Sequence, residues 1–408
     1  MGLLNYLLIF ASYWNSAISY ILPGNLSHQG YVLIVAILTL LLLIRNVLVV
    51  QKGIVTIRFF MVCCMSLLIA IMFYSAKFFY GPPGRIYSSF WRALLIQSVP
   101  TVLYGSCIAN NKNCLVQMKR MAPIIAIVFT VVSAASVFAP TTITAGGFSD
   151  TDYGLNYQTS SYMAAYAAGF AEFNSLFDKK FDWYPVFKKK WIKYLMTALI
   201  IVDAVTILIS GGRGGLAVFG IELIVTFIIM LRIKKTTVRQ LIKYLGIVLG
   251  VAVIGFYSIR YAMNSNVATS GFKRIVSAVV EGDTAGRDLI HERALQVFKT
   301  KPILGNGLGS VFYLLGNHAH SVFYDLLVES GIIGLSLFLI ILFLFGMKLK
   351  RIIQSDITNC VLIYIFLDGF IMALFSSYFL VQLPMLWCFA FVFSKTQTKN
   401  NLNFSENI

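Results

Sequence analysis

The sequence predicts an all-α polytopic membrane protein: a single integral membrane domain over residues 1–408 with about twelve transmembrane helices. Three observations predict it. Hydrophobic residues make up 58% of the chain and charged ones only 12%, with a mean hydropathy of +0.80. Apolar runs of about 20 residues, enough to cross a hydrocarbon core about 30 Å thick, recur along the whole length. Basic residues collect in every second gap between those runs. An outer-membrane barrel would instead show alternating segments of about ten residues, and the chain has none.

The predicted spans are 3–22, 31–50, 57–77, 87–108, 121–139, 157–177, 193–210, 215–231, 244–262, 320–346, 357–375 and 379–394. The first carries the polar stretch SYWNSAISY. The sixth, YQTSSYMAAYAAGFAEFNSLF, is low in hydropathy but rich in small residues, which suit close helix packing. With the N-terminus inside, the segments 45–58, 112–120, 179–193, 232–243, 348–351 and 395–399 are cytoplasmic and hold 22 of the 33 basic residues. That alternation requires the sixth span. It puts both termini in the cytoplasm and explains most of the +17 net charge as topology, with no need for nucleic acid. The first charged residue is Arg45, so no basic signal-peptide region is expected. The six cysteines fall in spans or inner segments, so no disulfide is expected.

Six of the remaining basic residues lie in one long extracytoplasmic loop, 263–319, between spans nine and ten. A loop of that length in a compact protein is usually functional. It is predicted to contain helix. DTAGRDLIHERALQVFKTKP offers Asp283 or Thr284 as an N-cap and Pro302 as a stop, with Leu289, Ile290, Leu295, Val297 and Phe298 as a partly buried face.

Three constellations could carry chemistry. In ISGGRGGLAVF, Arg213 sits between glycine pairs in an outer turn. Its planar fork suits phosphate oxygens, and glycine allows close backbone approach; the plain alternative is a turn with a snorkelling arginine. In GDTAGRDLIHER, Arg287 lies in the first turn of the loop helix, where free amides favour anions; the alternative is a solvated helix with local ion pairs. In NHAHSVFYDLLVESGIIGL, His320 starts span ten at the outer interface and could take a proton near neutral pH. His318 reads as a bystander. Asp325 and Glu329 fall inside an apolar run, where ionisable groups are costly and mark function. Nine residues from His320, Glu329 points to the other side of a helix and is expected to pair with another span. Arg92, just inside span four, is a candidate for a further anion contact. Asp150-Thr151-Asp152 has metal-binding spacing, and the glycines at 305, 307 and 309 follow no strand, against a dinucleotide fold.

In this order, SGGRGGL, GRDLIHERALQVFKTKPILGNGLGS and HAHSVFYDLLVESGIIGL resemble the bacterial O-antigen polymerase and ligase family of membrane glycosyltransferases, over roughly residues 205–345. The family pattern has an arginine in a small-residue turn, then a loop arginine before a helix ending near P-x-x-G-x-G. A histidine nine residues before a glutamate completes it. Ser321 departs from it, since asparagine usually follows the histidine.

The resemblance implies a metal-independent, inverting glycosyltransferase with no cofactor. Its donor is a polyprenyl-diphosphate-linked oligosaccharide, used at the outer face of the bacterial cytoplasmic (inner) membrane. It implies His320, Arg213 and Arg287 as catalytic residues, with Arg213, Arg287 and Arg92 contacting the diphosphate. A glycan acceptor, a flippase and a chain-length regulator are the implied partners. The glycine-flanked arginine and the short loops outside 263–319 favour a polymerase of O-antigen, capsule or exopolysaccharide. The alternatives are an O-antigen ligase, transferring the glycan to lipid A core or another acceptor, and a transporter of lipid-linked glycan. A transporter should show mid-membrane charge and a repeat of the two halves; the candidate residues instead collect at one face.

Overall fold

The computed structural model describes residues 2–11, 13–14, 94–138, 157–177, 181–234, 277, 282, 284 and 286–395. Every regular element among them is helical. The α-helices are α1 (Gly2–Ile9), α2 (Val99–Ile108), α3 (Lys112–Phe138), α4 (Tyr157–Leu176), α5 (Lys190–Ser210) and α6 (Arg213–Lys234), followed by α7 (Arg287–Thr300), α8 (Val311–Leu314), α9 (Val322–Ser355), α10 (Val361–Phe375) and α11 (Leu383–Ser394). Five stretches are long and apolar enough to cross a membrane: Asn113–Val137, Lys190–Ser210, Arg213–Ile233, Val322–Ser355 and Ile357–Phe375. They correspond to the predicted fifth, seventh, eighth, tenth and eleventh spans. The predicted spans 31–50, 57–77 and 244–262, together with Arg92, Asp150 and Asp152, lie outside the described residues.

The described elements divide between two compact units. The first holds α1, α2, α3 as far as Met121, and everything from Gly286 onward; the second holds α3 from Ala122 with α4, α5 and α6.

In the second unit α4 is the central helix, packed on both α5 and α6. Every residue from Ser160 to Asn174 is buried. A 20-residue helix is about 30 Å long, yet α4 is not apolar enough to count among the membrane candidates. Burial by its neighbours accounts for this. A helix covered by protein needs small side chains for close approach more than it needs apolar ones facing lipid.

In the first unit α11 packs on α2 and α10, and α7 packs on α9. Helix α3 begins at Lys112 and α9 runs on to Ser355. The basic residues at 112–120 and 348–351 therefore ride on helix ends, where inter-span loops were predicted. Their side chains tie those ends together. Lys119, only 2% exposed, pairs with Asp356 at 2.8 Å. Lys348 Nζ donates to the Phe393 carbonyl at 2.8 Å, and Lys395 Nζ to that of Ala109 at 3.3 Å.

Candidate functional site

The site in the first unit is organised by a break in α9. Gly331 has φ 62° and ψ −160°, so the helix is interrupted about two and a half turns after its start. The backbone groups at the break are taken up by the preceding loop. Asn306 and Gly307 donate their N–H groups to the carbonyls of Val328 (2.9 Å) and Glu329 (2.8 Å). The amides of Ile332 and Ile333 go to Pro302 (2.9 Å) and Ile303 (3.4 Å). Such re-pairing is what makes a broken helix tolerable in an apolar setting. Two glycines permit the approach: a Cβ on Gly331 would overlap the backbone of Pro302 and Ile303, and one on Gly305 that of Glu329. Gly305, Gly307 and Gly309 all have positive φ. The G-x-G-x-G run is thus a tight loop seated in the kink.

Glu329 fastens the same loop. It is 1% exposed, and its Oε1 accepts the Gly309 N–H at 2.8 Å. Its Oε2 accepts the Tyr378 hydroxyl at 2.7 Å. Glu329 does therefore pair with another segment, the turn between α10 and α11.

His320 stands in the turn before α9. The helix begins at Val322, two residues later than predicted, because His320 adopts φ 55°, a left-handed conformation uncommon outside glycine. Its backbone N–H donates to His318 Nδ1 at 3.1 Å, and the two rings lie 4.1 Å apart. His318, expected to be a bystander, is thus built into the turn. Asp325 Oδ1 accepts the Ala319 N–H at 2.7 Å. His320 Nδ1 lies 3.3 Å from the Ser376 carbonyl. A carbonyl only accepts, so Nδ1 carries the proton and Nε2 presents a lone pair. Burial holds the His320 imidazole below its ordinary range, with Arg287 and His291 adding to this and the Ser376 bond opposing it. Burial, His320 and Arg287 push His318 down to about 3. Both rings are neutral at pH 7.

Arg287 is the first residue of α7. The cap is Gly286, left-handed at φ 76° with no side-chain cap bond, so Thr284 does not fill that role; Asp283 lies outside the described residues. The predicted apolar face is also shifted. Ala294 is buried, whereas Leu289 is 74% and Leu295 38% exposed. Ile290, Val297 and Phe298 of the predicted face are half-buried and join Ala294 on the covered side of the helix. The charge of Arg287 adds to burial in lowering both His318 and His320. One turn further along α7, His291 stacks on Tyr324 of α9, with centroids 4.2 Å apart and ring planes at 14°. Its Nε2 lies 3.0 Å from the Ala319 carbonyl.

Arg213 belongs to the second unit, where it opens α6. Gly211 ends α5 at φ 78°, its N–H donating to Ile207. Ser161 Oγ donates to the Gly212 carbonyl at 2.9 Å. A Cβ on Gly212 or Gly215 would run into Ser161, and one on Gly214 into Tyr162. These glycines let α4 pack against the turn, a role distinct from the ligand approach expected of them. Arg213 itself is half-buried.

Sequence reasoning missed His291, Ser376 and Tyr378. His291 had a signal, since it falls four residues after Arg287 on the same helix face; Ser376 and Tyr378 had none. Among the described residues no group of three or more His, Cys, Asp or Glu side chains is placed to hold a metal ion.

No curated protein and no solved structure matches the chain. Residues 197–339 match a family model described as O-antigen ligase. That segment contains Arg213, Arg287, His320 and Glu329. Over that segment, about a third of the chain, the protein is similar to the O-antigen ligase family.

Proposed function

We propose that the chain is a membrane glycosyltransferase that polymerises polyprenyl-diphosphate-linked oligosaccharide repeat units at the outer face of the cytoplasmic membrane, using about twelve spans with both termini inside. The observation that carries this reading is His320. Its ring is neutral, its Nδ1–H is engaged by Ser376, its Nε2 is left with a lone pair, and the Arg287 charge helps to hold it in that state.

In the reaction, the acceptor hydroxyl oxygen attacks the anomeric carbon of the donor sugar. The bond from that carbon to the diphosphate oxygen breaks, and the polyprenyl diphosphate leaves with the electron pair. The hydroxyl proton passes to His320 Nε2. Attack opposite the leaving group inverts the anomeric centre, and no metal takes part. A positioned base of this kind contributes roughly 10²–10⁴-fold. Arg287, at a helix N-terminus, and Arg213 hold the diphosphate and offset the charge that grows on it. Losing one such contact typically costs about 3–4 kcal/mol in the transition state. Arg92 adds a further contact.

The second reading is the ligase named in the family description, with lipid A core or another surface acceptor. The residues above serve either acceptor. Deleting the gene and running the surface glycan on a gel separates the two. A single repeat unit on the normal acceptor identifies the polymerase. Long polymer held on the lipid carrier, with none on the acceptor, identifies the ligase. Unchanged surface glycan sinks both.

A further inference from the structure

We propose that His291 and Asp325 are positioning residues that grip the Ala319 backbone from two helices and so set His320 relative to Arg287; the inference rests on the glycosyltransferase reading. A left-handed non-glycine residue costs about 1–2 kcal/mol and persists only where its surroundings over-determine it. The bonds that do so converge on two successive peptide units. The Ala319 N–H goes to Asp325 Oδ1 on α9. The Ala319 carbonyl meets His291 Nε2 on α7, and the His320 N–H goes to His318. Ala319 is fully buried, so water cannot replace either partner.

His291 has a second property that the other two lack. It sits one turn after Arg287 on α7, so its bond joins the helix carrying the arginine to the residue just before His320. Facing a carbonyl, Nε2 must carry the proton. The ring is also stacked on Tyr324. His291 is thereby committed to the protein and acts through Ala319, not on a substrate. Asp325 does the equivalent from α9, through the Ala319 N–H.

The test compares His291→Gln with His291→Leu in the full-length protein. Glutamine places an amide N–H near the Nε2–H position; leucine fills similar space without a donor. Asp325→Asn and Asp325→Leu form a second pair in case the first fails to fold. Two readouts are taken. One is polymer length in a deletion strain carrying each variant, with Arg287→Ala and His320→Ala alongside. The other needs no substrate: the pH profile of diethyl pyrocarbonate modification of His320 in purified protein, read by peptide mass spectrometry. The charged and polar groups facing that ring are Arg287 and His291 from α7, His318 from its own turn, and the Ser376 carbonyl.

The leucine variants should lose polymer about ten- to a hundredfold, the cost of a misplaced catalytic group. They should also move the His320 midpoint up toward 6.5, while the Gln and Asn variants stay near the wild type. A leucine variant with the wild-type midpoint overturns the inference. So does a Gln variant as impaired as Leu, which would make the effect one of charge or bulk. Polymer retained in His291→Leu but lost in His320→Ala overturns it too. If Arg287→Ala and His320→Ala keep full polymer, the glycosyltransferase site fails, and the His320 profile still judges the grip on its own.

Discussion

Replacing Gly331 with alanine tests the break in α9, on which the arrangement of the first unit depends. The backbone there, at φ 62° and ψ −160°, falls in a region that only glycine occupies readily, with a strain of about 1–3 kcal/mol for other residues. The new methyl group would also overlap the main chain of Pro302 and Ile303, which cannot swing aside as a flexible side chain could. Relief requires either pushing the loop away or straightening the helix. Straightening returns the Ile332 and Ile333 amides to intrahelical partners but strands those of Asn306 and Gly307, at about 1 kcal/mol each. Straightening removes the backbone strain, so the cost by that route is about 2 kcal/mol, whereas keeping the kink retains the strain and the overlap. Thermal unfolding of the purified protein in detergent, followed by tryptophan fluorescence, reads this directly. At about 2–4 °C per kcal/mol for a cooperative unit of this size, the midpoint should fall by about 4–8 °C. Gly346→Ala, on the same helix, is the control: a Cβ there meets nothing within 4 Å, and the midpoint should hold or rise slightly. A Gly331→Ala protein that melts with the wild type and still makes full-length polymer refutes the reasoning.

Three further outcomes are expected. His318 titrates near 6.5 when unfolded but is pushed down to about 3 in the fold, so unfolding takes up a proton between those values. Stability is therefore full above pH 6.5 and lost as pH falls toward 3. The melting midpoint should decline over pH 6.5 to 4.5, and less steeply in His318→Gln; equal slopes count against the buried neutral imidazole. Leu304, 72% exposed in the loop before α9, should as Leu304→Cys react with a membrane-impermeant thiol reagent on intact cells, or on spheroplasts if an outer membrane intervenes; protection contradicts the outer placement of residues 263–319. Glycan assembly should survive EDTA, and a requirement restored by Mg²⁺ or Mn²⁺ would instead point to Asp150 and Asp152.

Much of the helical architecture was legible in the sequence, because long apolar runs and alternating basic segments follow from the thickness and charge asymmetry of a bilayer. The helix α4 was legible only through that alternation, since its hydropathy is low for the physical reason that protein covers it. Local rules did less well where a glycine decided the backbone. Asp283 or Thr284 looked the better N-cap for α7, but left-handed Gly286 starts the helix with no side-chain bond. The motif HAHSVFYDLLVESGIIGL resembled the family without revealing that its first glycine, Gly331, breaks α9. Of the site, Arg287 and His320 were visible as residue types in a motif. The setting of the His320 ring and the fastening of Glu329 were not, because they depend on a carbonyl at Ser376 and a hydroxyl at Tyr378 about 50 residues away in sequence, contacts that periodicity cannot encode. The glycines around Arg213 were read as room for a ligand, and the packing of α4 gives them another use.

The most direct measurement expresses Arg213→Ala, Arg287→Ala and His320→Ala separately in a strain lacking the gene and analyses the surface glycan on a gel, with protein level followed by immunoblot. The account predicts that each variant reaches the wild-type amount in the membrane and makes almost no polymer. Normal polymer from all three variants would contradict it.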